Sequence, residues 1–183
     1  MQFEDVVKNR RSIRKFEQVA VEKEKIDKLI EAARLCQSAK NRQPWKFMIL
    51  DGQNKNKIAE IMLNLFEQNN VDLPGYMNSS KSSAHIIENA PLLILVFKEE
   101  DNNWTTGDLL SLGAAIEHIC LEAVNLGLGS VWIRDTDYTE QEICDYVGYP
   151  DLQLVSGIAI GYPAEKPVQR PRKDKEEILL HKV

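Results

Sequence analysis

The sequence predicts a layered sandwich, with helices covering both faces of a β-sheet, of the α/β or α+β class. Three observations predict it. Apolar residues recur at helical spacing in stretches spread along the chain. Between them lie short apolar runs that read as strands: "WKFMIL", "LLILVF", "SVWIR" and "LQLVSGIAIGY". The 183 residues contain no repeat and no low-complexity tract, so residues 1–183 read as one domain with a sizeable core.

The elements follow in order. Phe3, Val6 and Val7 predict a short opening helix that ends near Asn9. Ile26, Leu29, Ile30 and Ala33 predict a second helix, with "VEKEK" as its solvated start. "QSAKNRQP" reads as a loop, since Pro44 disfavours helix before it, and "WKFMIL" as a strand ending in the turn "DGQN". Ile58, Ile61, Met62 and Leu65 predict a third helix. The polar segment 68–83 reads as a long surface loop and a candidate lid, with Tyr76 and Met77 as lid residues. A short helix over Ala84 to Glu88 precedes Pro91 and the buried strand "LLILVF".

"GDLLSLGAAIEHICLEAVNLGLG" predicts the central helix. Ser111, His118, Glu122 and Asn125 form a narrow polar stripe, and nearly everything else is apolar. A helix apolar around most of its circumference is buried on several sides, which in a small domain points to cover from a second subunit. Gly127 and Gly129 end this helix and start the strand "SVWIR". Thr139 and Glu142 predict a capping box for a helix through Tyr146. In the last strand, Gly157, Ala159 and Gly161 allow close approach on one face. "PAEKPVQRPRKDK" reads as an exposed tail.

Composition narrows the function. The formal net charge of -5 argues against nucleic acid as a partner. No run of apolar residues is long enough to predict a membrane span, and "MQFEDVVKNR" lacks the apolar core of a signal peptide. Cys36, Cys120 and Cys144 are odd in number, far apart and without a CxxC pair, which predicts reduced thiols in a cytoplasmic protein. His118 and Glu122 share a helical face but find no third ligand nearby, so no metal site is predicted. Cys36 stands beside Lys40 and Arg42, yet a free cysteine is more often a small buried hydrophobe than a nucleophile. Neither GxGxxG nor GxxxxGK[ST] occurs.

One stretch stands out against the acidic background. "KNRRSIRKF" packs Lys8, Arg10, Arg11, Arg14 and Lys15 into residues 8–16. A charge run is usually a solvated face. Here arginine, the bidentate reader of phosphate, dominates, and Ser12 adds a hydroxyl donor. In an extended chain Arg10, Ser12 and Arg14 point the same way. Arg170, Arg172 and Lys173 form a second basic group near the other end. Both readings stay open on pattern alone: a solvated face, or two arginine clusters converging on one small dianion.

Four segments taken together, "RRSIRKF", "QSAKNRQPWKF", "GAAIEHICLEAVNLGLGSVWI" and "RPRKDKEEI", resemble the FMN-dependent nitroreductase family, in the family's order and over nearly the whole chain. The resemblance implies an α+β fold: a three-layer sandwich with a central mixed sheet flanked by helices, in an intertwined homodimer with FMN at the subunit interface. It implies an oxidoreductase that takes hydride from NADH or NADPH and reduces a planar acceptor, such as a nitroaromatic, quinone or flavin, by a ping-pong mechanism. Arg10 and Ser12 look like phosphate and ribityl ligands, with Arg11 beside them. Arg170 and Arg172 match the C-terminal phosphate positions. Arg14 matches a cation near the pyrimidine end of the flavin. Gln37, Ser38 and Asn41 match the loop that reaches the flavin from the other subunit. The backbone at Arg134 and Asp135 matches the segment facing the flavin N5. The flavin carries the chemistry, so no catalytic side chain is expected.

The chain departs from the family pattern at two places. Gln37-Ser38 stands where Pro-Ser is usual, and Arg134-Asp135 where a glycine or small residue is common after "WI". The second change predicts a bias of the site towards anionic substrates. Two alternatives accompany the main reading: reductive dehalogenation or other flavin chemistry on the same scaffold, and a non-enzymatic module that binds an anionic partner.

Overall fold

The computed structural model describes residues 1–67 and 78–180. Its frame is a four-stranded sheet of β1 (Trp45–Asp51), β2 (Leu92–Glu99), β3 (Gly129–Ile133) and β4 (Leu152–Gly161), in the order β1-β2-β4-β3. All three strand pairings are antiparallel, and the parallel component is a single bridge from Ser12 to Ser130.

Side-chain alternation on the buried strand β2 builds two cores. Leu93, Leu95 and Phe97 face one way, where α3 (Gly52–Glu67), α4 (Asn78–Asn89) and α6 (Glu140–Val147) pack. Leu92, Ile94 and Val96 face the other, where α2 (Lys23–Arg34) and α5 (Thr105–Asn125) pack. The result is the expected α+β sandwich of three layers. Leu29 of α2 and Leu112, Ile116 and Ile119 of α5 are fully buried, and each such side chain contributes about 1.5–3 kcal/mol. The short helices α1 (Phe3–Asn9) and α7 (Lys175–Ile178) lie near the two ends.

The end of α5 is fixed by its glycine. Gly127 adopts φ +75°, its N–H donates to Val124 O at 3.0 Å, and Leu128 N–H donates to Ala123 O at 2.7 Å. These are the paired bonds of a Schellman motif, which turns the chain directly into β3. Gly157 of β4 allows the close approach expected of it: a Cβ there would stand 3.3 Å from Leu93 Cδ1 and from Thr136 Cγ2.

Two local expectations need correction. Residues 78–83 form the start of α4 and no loop; the rest of the candidate lid, Tyr76 and Met77 included, lies outside the described residues. The reason is tertiary: Ser80 and Ala84 are fully buried, so packing overrides the polar composition of this segment. The Thr139–Glu142 capping box does not form. Thr139 is buried, and its hydroxyl turns back to Thr136 O at 3.5 Å, inside a 3-10 turn over Asp135–Thr139. A capping box is present instead in the tail, between Asp174 and Glu177 at the start of α7.

The central helix keeps an uncovered apolar face. Leu109 and Leu110 are 42% and 72% exposed, and Trp132 on β3 is 45% exposed. Among the described residues no helix is long and apolar enough to cross a membrane.

Candidate functional site

The cation stretch is held in place by its backbone. Ile13 N–H donates to Ser130 O at 3.0 Å, beside the Ser12–Ser130 bridge, so residues 12–13 lie along β3. Gly129 makes this approach possible, since a Cβ there would stand 2.7 Å from Ile13 Cγ1. On its other side the stretch meets the segment that follows β4. Glu17 N–H donates to Tyr162 O and Ala164 N–H to Lys15 O, both at 2.9 Å. The Glu165 carboxylate then accepts Arg14 N–H at 2.6 Å and Lys15 N–H at 3.2 Å. Chain positions about 150 apart are thereby stitched together.

This stitching joins the two arginine clusters. Arg10, Arg11, Ser12 and Arg14 line one small cavity with Pro167, Val168, Arg170 and Arg172, of about 110 Å³. Arg10 pairs with Glu117 of α5 at 3.5 Å. The Arg11 guanidinium is braced by Lys8 O, Arg10 O and Gln169 Oε1 at 2.6, 2.7 and 3.0 Å. Those of Arg14 and Arg172 donate to backbone carbonyls of Ser12, Arg170 and Pro171. Among the described residues, Arg11, Arg14, Arg170 and Arg172 pair with no carboxylate. Such a group favours a compact anion with several acceptor oxygens. A much larger apolar cavity, of about 690 Å³, adjoins it and shares Arg11 and Pro167 with it.

The loop bearing Gln37, Ser38 and Asn41 lines no part of the cation cavity within one chain. It contains a strained 3-10 turn over Ala39–Asn41, where Lys40 and Asn41 take left-handed φ of 53° and 56°, and Gln43 just beyond takes 49°. Ser38 Oγ accepts Gln43 N–H at 3.0 Å, and Ser111 Oγ of α5 accepts Ala39 N–H at 3.0 Å. Arg42 pairs with Asp101 at 2.8 Å and with the buried Asp108 at 3.1 Å. Its guanidinium also lies over Trp104, 4.7 Å from the ring centre. Hydrogen bonding to Asp108 raises the Arg42 pKa above its ordinary value.

Arg134 and Asp135 also stand apart from the cation cavity in the single chain. Arg134 Nη2 donates to Asp137 Oδ2 at 2.7 Å, and its guanidinium lies 5.7 Å from the centre of the Tyr138 ring. Asp135 accepts the Ser83 hydroxyl at 2.7 Å, tying the end of β3 to α4.

The cysteines behave as core residues. Cys36, Cys120 and Cys144 are free and buried. Burial pushes the Cys36 thiol up and that of Cys120 up to about 11. His118 Nδ1 lies 2.9 Å from Ala114 O, a contact within its own helix. Among the described residues no group of three or more metal-ligating side chains occurs.

Four supporting residues were not read from the sequence: Glu117, Glu165, Asp108 and Gln169. Each is a common polar residue with no local motif, and its partner lies far away along the chain, 151 positions for Glu165 and Arg14. The mostly apolar helix around Asp108 and Glu117 was the nearest available signal.

Comparison with known proteins identifies the family of the chain. A sequence profile of the Nitroreductase family matches residues 7–162. The chain is 30% identical to a protein of Methanothermobacter thermautotrophicus named for a proposed NADH dehydrogenase/NAD(P)H nitroreductase activity, over 97% of this chain and 86% of that one. It is 25% identical to the iodotyrosine deiodinase of Thermotoga neapolitana, over 93% of each. A BluB-like flavoprotein of Clostridium difficile 630 superposes with a TM-score of 0.81 and 26% identity, over all of both chains. On the match across most of its length, the chain belongs to the nitroreductase family.

Proposed function

We propose that this protein binds FMN between two identical subunits and uses NADH or NADPH to reduce a planar acceptor, such as a nitroaromatic, a quinone or a flavin, in two successive half-reactions. Family membership supports the coarse part, an NAD(P)H-dependent flavin oxidoreductase. The observation that supports the cofactor is the cavity joining Arg10, Arg11, Ser12 and Arg14 to Arg170 and Arg172. It is small, cationic and supplied with a hydroxyl, and most of its guanidinium charge lacks a carboxylate. A phosphomonoester dianion fits that donor set.

Bound there, FMN would supply the two-electron carrier chemistry. The protein's part is to hold and tune it. Arg10, Arg170 and Arg172 would grip the phosphate, with Arg11 as a braced wall, and Ser12 would meet the ribityl chain. Arg14 would set a cation near the pyrimidine end, where a fixed positive charge offsets developing negative charge. Gln37, Ser38 and Asn41 would approach from the second subunit, and the backbone at Arg134 and Asp135 would face N5. Arg134, exposed at the end of β3, would favour anionic acceptors; equal loss of anionic and neutral turnover in Arg134→Ala would remove that role. The open apolar face of Leu109, Leu110 and Trp132, with exposed Ile178, Leu179 and Leu180 in the tail, supports a dimer.

Purified protein should be yellow, with a flavin spectrum that anaerobic NADH or NADPH bleaches and an added acceptor restores. It should sediment as a dimer. A colourless protein whose melting temperature ignores added FMN would instead favour an anion-binding module. The deiodinase relative favours a second reading, reductive dehalogenation. Release of iodide from a halogenated phenol by the reduced protein would select it.

A further inference from the structure

Arg42 is the cation of the 37–43 loop that carboxylates already engage, through its Nε and Nη2. Its guanidinium meets Asp108 twice, Nε to Oδ1 at 3.1 Å and Nη2 to Oδ2 at 3.4 Å. Nη2 also reaches Asp101 Oδ2 at 2.8 Å, and the Trp104 ring closes one face. Asp108 is 1% exposed, in the first turn of α5. One turn further, Ser111 is buried too. Its hydroxyl donates to Gly107 O at 2.7 Å and accepts Ala39 N–H at 3.0 Å. Gly107 lets the loop sit this close, since a Cβ there would stand 3.3 Å from Ala39 Cβ.

These contacts surround a segment with a steep local cost. Left-handed backbone is unfavourable by about 1–2 kcal/mol at each of Lys40 and Gln43, and by less at Asn41, whose short polar side chain tolerates it. Such strain persists where the surroundings over-determine it. Two charge-assisted bonds to a buried carboxylate, a stacked ring and a hydroxyl fixing Ala39 are that surrounding. A plain surface loop of this length needs none of them.

We infer that the Arg42–Asp108 clamp, together with Ser111, is a positioning device for the cofactor site. It holds Gln37, Ser38 and Asn41 in the strained shape that meets FMN across the dimer interface, and it touches no cofactor atom itself. The inference rests on the FMN reading proposed above.

The test uses the full-length dimer and FMN itself. Three variants are compared with the unchanged chain: Asp108→Asn, Ser111→Ala, and the paired replacement Arg42→Met with Asp108→Leu. The paired replacement leaves no lone buried charge, so it keeps the unfolding midpoint near that of the unchanged protein. Readouts are FMN Kd from flavin fluorescence quenching, visible-region circular dichroism of bound FMN, and denaturant unfolding. The paired replacement and Asp108→Asn should raise the FMN Kd about tenfold or more and alter the visible dichroism. Ser111→Ala should shift both in the same direction. An unchanged Kd and dichroism in the paired replacement, with stability kept, would reduce the clamp to a structural ion pair. Failure of the paired replacement to fold would move the decision to Ser111→Ala, whose unchanged Kd would overturn the inference. No FMN binding by the unchanged protein would remove the FMN reading and this inference with it.

Discussion

The extended stretch at residues 10–17 and the loop at residues 37–43 each carry arginine and one serine, yet they hold their charges in opposite ways. In the first, the backbone does the holding. Strand-like bonds to Ser130, Tyr162 and Ala164 and the Glu165 carboxylate fix the chain, and among the described residues the guanidinium groups of Arg14, Arg170 and Arg172 pair with no carboxylate. In the second, the side chain does the holding. Arg42 is committed to Asp101, Asp108 and Trp104, and the backbone around it is bent into left-handed conformations. A cation is available to a ligand where the main chain carries the structural task, and unavailable where the cation carries it.

The sharpest way to break this comparison is to remove charge from the first region. Arg10→Ala combined with Arg172→Ala loses two charge-assisted contacts of about 1.5–3 kcal/mol each. FMN Kd should rise about a hundredfold or more, with little change in the unfolding of the cofactor-free protein. Flavin that stays bound through gel filtration of this variant would contradict the phosphate assignment.

A backbone lesion should act differently. Gly129→Ala sets a methyl group where Ile13 stands, 2.7 Å from its Cγ1. Stability should fall by about 1–3 kcal/mol in denaturant unfolding, and FMN affinity should fall with it as the stretch leaves β3. A variant as stable as the parent would mean that the main chain is not what holds the cations.

Glu117 offers a smaller and opposite effect. Among the described residues it is the one carboxylate that forms an ion pair with a guanidinium of the cavity, at 3.5 Å from Arg10. Glu117→Gln should tighten binding of FMN or inorganic phosphate by about two- to fivefold, read by titration calorimetry. Weaker binding would show that the pair orients Arg10 more than it neutralises it.

The mildest expectation concerns reactivity. Cations near Cys36 do not lower its pKa, because burial pushes it and that of Cys120 up. At about pH 8 iodoacetamide should label both more slowly in the native protein than in the unfolded chain, since a raised pKa leaves less thiolate. Rapid native labelling of Cys36 would reopen the 37–43 loop as a reactive site.

Much of the fold is legible because its signals are local and repetitive. The run "LLILVF" identified the buried strand, and the apolar periods of α2, α3 and α5 identified helices on both faces. Residue type left the convergence of Arg10–Arg14 with Arg170 and Arg172 as one of two open readings, and the structure brings these residues to one cavity. What the sequence hid is long-range or tertiary. Residues 78–83 look like a loop by composition, and packing of Ser80 and Ala84 makes them helix. Thr139 and Glu142 have capping spacing, but burial of Thr139 redirects its hydroxyl. Glu165, Asp108 and Glu117 act on partners far away in sequence, and no periodicity marks a carboxylate for such a task.

The stitching of Arg14 to Glu165 bears on how the protein is made. A ribosome delivers residues 170–172 about 160 positions after residues 10–14. Until then half of the cation cradle has no counterpart. An anion bound there as proposed would be captured only once the second cluster has been made, and it would then hold the two segments together.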